Sequence, residues 1–190
     1  MTRVRPLAVA ATVLALGMVS TTGARAQQRS SPLVHFGASG GVSIPLGDLS
    51  KNSQTGYLVG GFFEGAPSGS PVGLRGEVSY SGYTVKTGGF TSSILGFIGN
   101  AVIYFDAPSS GLYLIGGAGI YHFNNTAGIT STKFGVNGGG GFRWPLGGAS
   151  SFVEARYHYV STSGTILSPD GSTTNRGSTT FIPIVFGVVF

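Results

Sequence analysis

Ser178-Thr-Thr-Phe-Ile-Pro-Ile-Val-Phe-Gly-Val-Val-Phe190 decides the fold. Counting back by twos from Phe190 gives Val188, Phe186, Ile184 and Ile182, one wholly apolar face of a strand, because strand side chains alternate with period two. The other face carries Val189, Gly187, Val185, Pro183 and Phe181 and is also mostly apolar. The sequence stops on an aromatic residue with no polar tail behind it. A soluble protein gains little from such an ending. A strand ending at a membrane interface does gain, because aromatic side chains favour that layer.

The opposite end reads differently. Arg3 and Arg5 precede an apolar run from Pro6 to Ser20, and Ala24-Arg25-Ala26 fits a small-x-small cleavage site. This pattern predicts a secretory signal peptide over residues 1–26, with the mature chain, 27–190, beginning at Gln27. No later apolar run reaches the ~18 residues that a transmembrane helix needs.

Composition narrows the class. There is no cysteine, which excludes disulfides and thiolate metal sites. Charged residues make up 9% of the chain, too few for a soluble domain's surface, where about a quarter is usual. Aromatics at 12% argue against disorder. The formal charge of +5 falls to +2 without Arg3, Arg5 and Arg25, and no basic patch remains to suggest nucleic acid.

Eight stretches have strand character, separated by turn signals. Residues 33–45 place Val34, Phe36, Ala38, Gly40, Val42 and Ile44 on one face, with His35, Ser39 and Ser43 on the other. Residues 56–64 put Tyr57, Val59 and Phe63 outward and Glu64 inward. Residues 72–82 put Leu74, Gly76, Val78 and Tyr80 outward, with Arg75, Glu77 and Ser79 inward. Over 92–105, Leu95, Phe97, Ala101, Ile103 and Phe105 oppose Asn100. In 112–122 both faces are apolar. The eight-residue spacing of Tyr113 and Tyr121 matches the edges of a ~25 Å apolar band, so Tyr113, Ile115 and Tyr121 are expected outward. Residues 132–144 send Phe134, Val136, Phe142 and Trp144 outward, with Lys133, Asn137 and Arg143 inward. Residues 151–162 send Val153, Ala155, Tyr157 and Tyr159 outward, with Glu154, Arg156 and His158 inward. The terminal stretch is the eighth.

The second, fourth and sixth links are short Pro/Gly/Ser turns, at 66–71, 106–111 and 145–150. The others, at 46–55, 83–91, 124–131 and 163–177, tend to be longer and polar. Transmembrane barrels show this asymmetry, with short periplasmic turns and longer outer loops. A membrane requires every backbone N–H and C=O to be satisfied, which strands achieve only in a closed sheet. The expected fold is therefore all-β, an eight-stranded antiparallel up-and-down transmembrane β-barrel. A soluble lipocalin-like barrel would need a polar exterior, and the pattern here is inside-out.

The inward charges hold the most chemistry. Glu64, Arg75, Glu77, Arg143, Glu154 and Arg156, with His35 and His158, point into a narrow lumen. Three acids face three arginines. A balanced set reads as a salt-bridged plug, since an unpaired buried charge costs several kcal/mol. A small gated pore for ions or small solutes, in which the pairs exchange partners, is the alternative. Which acid meets which arginine depends on strand register.

Taken together, the chain resembles the small outer-membrane barrels of the OmpX and OmpA-transmembrane type over residues 33–190. The signal peptide, the Val42-Ser-Ile-Pro-Leu-Gly-Asp-Leu49 exit from the first strand, the Gly-rich alternating strands and the Phe190 ending carry the resemblance. It implies that Ile184, Phe186, Val188 and Phe190 form an assembly signal read by the barrel-assembly machinery. It also implies an integral outer-membrane location in contact with lipid and lipopolysaccharide. A monomer with an envelope-integrity or surface-interaction role is expected, any surface ligand meeting the four outer loops. No cofactor, metal or nucleic acid is expected.

Two sharper readings compete. Some outer-membrane barrels modify lipid A with Ser, His and an acid, and Ser161, His158 and Glu154 invite that comparison. Ser161 has the opposite parity, however, and no Gly-x-Ser-x-Gly surrounds it. Gly116-Gly117, Gly119 and Gly138–Gly141 suggest a phosphate loop, but no Lys-Ser/Thr follows. Wall curvature explains them better, and a bolder possibility is a thinned patch that receives a lipid or a partner.

Overall fold

The computed structural model describes residues 33–67, 69–86, 91–125, 130–161, 165–167, 173–175 and 177–190. The chain divides into two units, Met1–Ser30 and Ser31–Phe190. The expected signal peptide lies outside the described residues.

The elements are β1 (Leu33–Leu46), α1 (Gly47–Asn52), β2 (Gly56–Ala66), β3 (Val72–Thr84), β4 (Thr91–Tyr104), β5 (Gly111–Asn125), β6 (Thr130–Leu146), β7 (Ala149–Ser161), β8 (Thr165–Leu167), β9 (Thr173–Asn175) and β10 (Ser178–Val189). Eight of them form a closed barrel in the order β1-β10-β7-β6-β5-β4-β3-β2, and β8 pairs with β9 alone. Every neighbouring pair is antiparallel. The fold class read from the sequence is the one observed.

Closure depends on the stretch that opened the sequence reading. β10 pairs with β1, with Gly37 opposite Val189 and Leu46 opposite Thr180. The ladder continues past the strand: Phe190 N–H donates to the Phe36 carbonyl at 2.7 Å, and Phe36 N–H donates to the Phe190 carbonyl at 3.2 Å. On its other side β10 pairs with β7, but the ladder skips from Phe181–His158 to Ile184–Ala155. Pro183 stands in the gap, where it has no N–H to give.

Alternation sorts the side chains as the period of two requires. On β3, Leu74 is 70% exposed and its neighbour Arg75 only 2%. Phe36, Phe63, Phe97, Phe134, Phe186 and Phe190 all stand on the exterior, and Glu64, Arg143 and Glu154 are buried in the lumen. Aromatic contacts on the outer wall cluster toward the strand ends, with Tyr57 against Tyr80 at 6.2 Å and Trp144 between Phe142 and Phe186 at 6.1 and 5.9 Å.

β5 corrects the expected orientation. Tyr113, Ile115 and Tyr121 face the lumen, each at most 3% exposed, while Leu112, Leu114 and Ile120 face out. The eight-residue spacing kept the two tyrosines on one face, but it does not say which face. The hydroxyls decide it. Inside, Tyr113 donates to Glu154 Oε2 at 2.8 Å and Tyr121 lies 2.9 Å from His158 Nδ1. Outside, the apolar Leu and Ile side chains leave no polar atom to satisfy.

The polar links are more structured than expected. The first, 46–55, folds into α1, whose Leu49 packs against the apolar cluster of Tyr83, Ile94, Ile98, Tyr121, Val160 and Phe181. Lys86 Nζ donates to the Ser50 carbonyl at 2.8 Å and ties α1 to the third link. The last link carries the β8–β9 hairpin. At the opposite end Gly147-Gly148 joins β6 to β7, with Gly147 at φ +62, a conformation that glycine adopts at little cost.

Two further apolar clusters line the wall beside the charges. Leu58, Phe62, Phe152, Val185 and Val189 form one, and Val102, Tyr104, Tyr113 and Ile115 the other.

Candidate functional site

The lumen holds one continuous charge network. β2 supplies Glu64, β3 supplies Arg75 and Glu77, β6 supplies Arg143, and β7 supplies Glu154 and Arg156. All six are buried, at 2–6% exposure. Arg143 Nη1 lies 2.9 Å from Glu64 Oε1, and Arg75 Nη2 lies 2.6 Å from Glu64 Oε2. Arg75 Nη1 then reaches Glu154 Oε2 at 2.8 Å. Arg156 Nε lies 2.8 Å from Glu154 Oε1, and its Nη2 donates to both Glu77 oxygens at 2.7 and 2.8 Å. Read in order, Arg143, Glu64, Arg75, Glu154, Arg156 and Glu77 alternate in sign along the whole chain of contacts.

Neutral groups complete the acids' partners. Tyr104 donates to Glu64 Oε1 at 2.5 Å and Tyr113 donates to Glu154 Oε2. Arg143 Nη1 also donates to the Pro108 carbonyl at 2.6 Å, which anchors the fourth link to the barrel interior. The Arg75 guanidinium sits 4.4 Å from the centre of the Phe62 ring, with Phe152 on another side at 5.6 Å. Such contacts contribute about 0.5–2 kcal/mol each, more when desolvated. Aromatic packing therefore helps to hold the guanidinium where it serves two carboxylates.

A polar layer lies alongside. Asn137 Nδ2 donates to Asn100 Oδ1 at 3.0 Å, and His158 stacks on Phe181 at 4.7 Å while meeting the Tyr121 hydroxyl. Among the described residues, Arg156 Nη1, Asn137 Oδ1 and His158 Nε2 are buried without a hydrogen-bond partner. The layer ends against the apolar cluster that Leu49 covers.

The other end is open. A cavity of about 660 Å³ lies among the short links, with Glu64, Tyr104 and Arg143 lining it together with His35, Asp106 and Phe190. His35 is not part of the charge chain; its Nδ1 lies 3.1 Å from the Phe190 carbonyl, at the barrel seam. Lys133 has inward parity but stands near the loop end of β6, half-buried and away from the network.

The other expected positions fall as follows. Ile184, Phe186 and Phe190 are exposed on the exterior of the closing strand, and Val188 beside them is half-buried. Ser161 is exposed at the end of β7, Glu154 is engaged by Arg75, Arg156 and Tyr113, and His158 faces Tyr121. Ser161, His158 and Glu154 do not converge. Among the described residues, no group of three or more His, Asp or Glu is placed to hold a metal ion.

The glycines divide by face. A Cβ on inward Gly117, Gly119 or Gly139 would lie 2.7–2.9 Å from a Cα of the next strand, so the small ring closes only with hydrogen at those positions. Outward Gly99 and Gly138 have nothing within 4 Å of such a Cβ. Elsewhere aromatic rings lie over outward glycines, Phe63 on Gly76 and Tyr57 on Gly82.

No family model matches the sequence, and no curated protein does. Among solved structures, Neisserial surface protein A is similar, with a TM-score of 0.53 across 82% of this chain and 95% of that one, at 16% identity. The two share a fold. Ail, the attachment invasion locus protein of Yersinia pestis, solved in complex with the heparin analogue sucrose octasulfate, matches 83% of this chain and 97% of its own at 16% identity, with a TM-score of 0.41. At 16% identity the likeness to Neisserial surface protein A lies in the path of the backbone, and the lumen chemistry must be read from this chain's own residues.

Proposed function

We propose that this chain is an integral outer-membrane barrel, non-catalytic, whose lumen is sealed by the charge network and whose work lies in envelope integrity or in surface contacts made by the outer loops. One observation carries the reading: the wall is inside-out. Phe, Leu, Ile, Val and Tyr side chains cover the exterior, and every charged residue of the transverse strands β3 and β7 lies inside. Water would penalise that arrangement, whereas a hydrocarbon layer favours it. The resemblance to small outer-membrane barrels and the expected signal peptide support the location, with cleavage after Ala26.

The network supports sealing. Each carboxylate of the network has at least one arginine and each arginine at least one carboxylate, so none of these six charges is left unpaired to attract a passing ion. The apolar cluster against which Leu49 of α1 packs supports closure at the loop end. The exterior provides the surface for outer-membrane lipid and lipopolysaccharide, and the assembly machinery would read Ile184, Phe186, Val188 and Phe190 on the closing strand. We propose a monomer, with any surface ligand bound by the loops.

A gated pore is the second reading, and the position of Arg75 favours it. A guanidinium shared between Glu64 and Glu154 is able to trade one acid for the other. Planar-bilayer recording on the refolded 27–190 chain, beside a Glu77→Gln, Glu154→Gln variant, separates the two. The sealed barrel is expected to be silent while showing heat-modifiable mobility on electrophoresis. Steady wild-type current that changes in the variant would replace the plug with the pore. Unaltered lipid A mass spectra from cells with and without the protein are expected for a non-enzyme.

A further inference from the structure

Three contacts across the lumen share one sequence offset. Glu64 with Arg143, Arg75 with Glu154, and Glu77 with Arg156 are each 79 residues apart. Each joins β2 to β6 or β3 to β7, strands four places apart in a ring of eight. Four places is half the ring, so each contact spans a diameter.

The signs reverse across that diameter. Arg75-Gly-Glu77 on β3 faces Glu154-Ala-Arg156 on β7, and Glu64 on β2 faces Arg143 on β6. The surroundings match at the same offset: Gly60 and Gly139, Gly61 and Gly140, Phe63 and Phe142, Tyr80 and Tyr159. The β2–β3 and β6–β7 hairpins are thus alike in pattern and opposite in lumen charge.

The contacts fall into two kinds. Glu64 with Arg75 and Glu154 with Arg156 lie within a hairpin and form whatever the size of the ring. The diametral contacts need both walls within reach of one glutamate plus one arginine. Barrel diameter grows roughly linearly with strand number. In a wider ring or an open sheet, Glu77 loses Arg156 and Arg143 loses Glu64. Charges then stand unpaired inside, which is costly.

We propose that the sign-reversed hairpins gauge the circumference of the barrel. They favour closure of one chain at eight strands over open sheets and over wider barrels shared with a second copy of this chain. The inference rests on the membrane-barrel reading above, and it stands whether or not the lumen conducts.

The test gives the second hairpin the signs of the first, with Arg143→Glu, Glu154→Arg and Arg156→Glu. Pairs within each hairpin keep opposite signs, and only the diametral contacts become like-charged. A companion chain inverts all six residues by adding Glu64→Arg, Arg75→Glu and Glu77→Arg. Both are refolded as 27–190 chains into lipid vesicles, then scored by heat-modifiable mobility and by cross-linking for chains per particle. The threefold variant is expected to lose the monomeric folded band, and the sixfold inversion to regain it. Monomeric closure of the threefold variant at wild-type yield would overturn the gauge. So would failure of the sixfold inversion to close. Current through the wild-type barrel counts against the sealed lumen alone, so the two ideas fail separately.

Discussion

Arg75 and Glu154 meet at 2.8 Å across the lumen, and each is held by others as well. Arg75 also contacts Glu64, and Glu154 also contacts Arg156 and Tyr113. Glu154→Gln therefore removes one negative charge from between two buried arginines. Breaking a buried pair from one side costs about 3–5 kcal/mol. Urea unfolding in lipid vesicles, followed by fluorescence of Trp144, the single tryptophan, is expected to show a loss of that size. A loss under about 1 kcal/mol, the usual value of an exposed pair, would mean the acid is solvated.

Tyr113 and Tyr57 separate a lumen hydroxyl from an exterior one. Tyr113→Phe deletes a hydrogen bond to a carboxylate, which contributes about 1.5–3 kcal/mol. Tyr57→Phe leaves the exposed ring against Tyr80 in place and is expected to change stability by less than about 0.5 kcal/mol. The same unfolding experiment reads both. Equal effects would contradict the inward placement of Tyr113.

Gly139 and Gly138 are adjacent and face opposite ways. A methyl group on Gly139 would lie 2.7 Å from Arg156 Cα, and one on Gly138 would meet nothing. Gly139→Ala is expected to lower the yield of the heat-modifiable folded form sharply. Gly138→Ala is expected to fold like wild type. Reversed outcomes would mean that β6 presents the other face to the lumen.

Phe190 offers a test of assembly against stability. Its backbone pairs with Phe36 in both directions, and its ring stands outside at 70% exposure. Phe190→Ala keeps the backbone bonds. Refolded in vitro, the variant is expected to unfold within about 1 kcal/mol of wild type, the typical size of a point-mutation effect. In cells it is expected to reach the outer membrane in reduced amount, measured by fractionation. Full cellular assembly would remove Phe190 from the signal.

The strand faces were legible because most strands contrast an apolar face with a polar one. Arg75, Glu77, Glu154 and Arg156 marked the lumen on β3 and β7 without help from the structure. β5 lacks that contrast. Its two faces are both apolar, and only the partners of Tyr113 and Tyr121, contributed by β7, tell which is inside. The charge partners were also hidden by register, although the sequence held a signal for them. Arg-Gly-Glu and Glu-Ala-Arg, reversed in sign and four strands apart, mark opposite walls of an eight-membered ring. α1 escaped notice because Gly47-Asp-Leu-Ser-Lys-Asn52 reads as a polar link. Only the apolar cluster beneath it gives Leu49 a reason to turn inward.

The two ends of the lumen differ in kind. Leu49 rests on Tyr83, Tyr121 and Phe181 at one end, while about 660 Å³ of open space leads to Glu64 and Arg143 at the other. On the proposed reading, sealed and with its short links in the periplasm, the molecule is a cup, corked with hydrocarbon toward the cell's surroundings and wet toward its own last residue. Protons and small polar reagents would then enter from the periplasm alone. A change in that compartment would reach the first ion pair directly, and the rest of the network only through it.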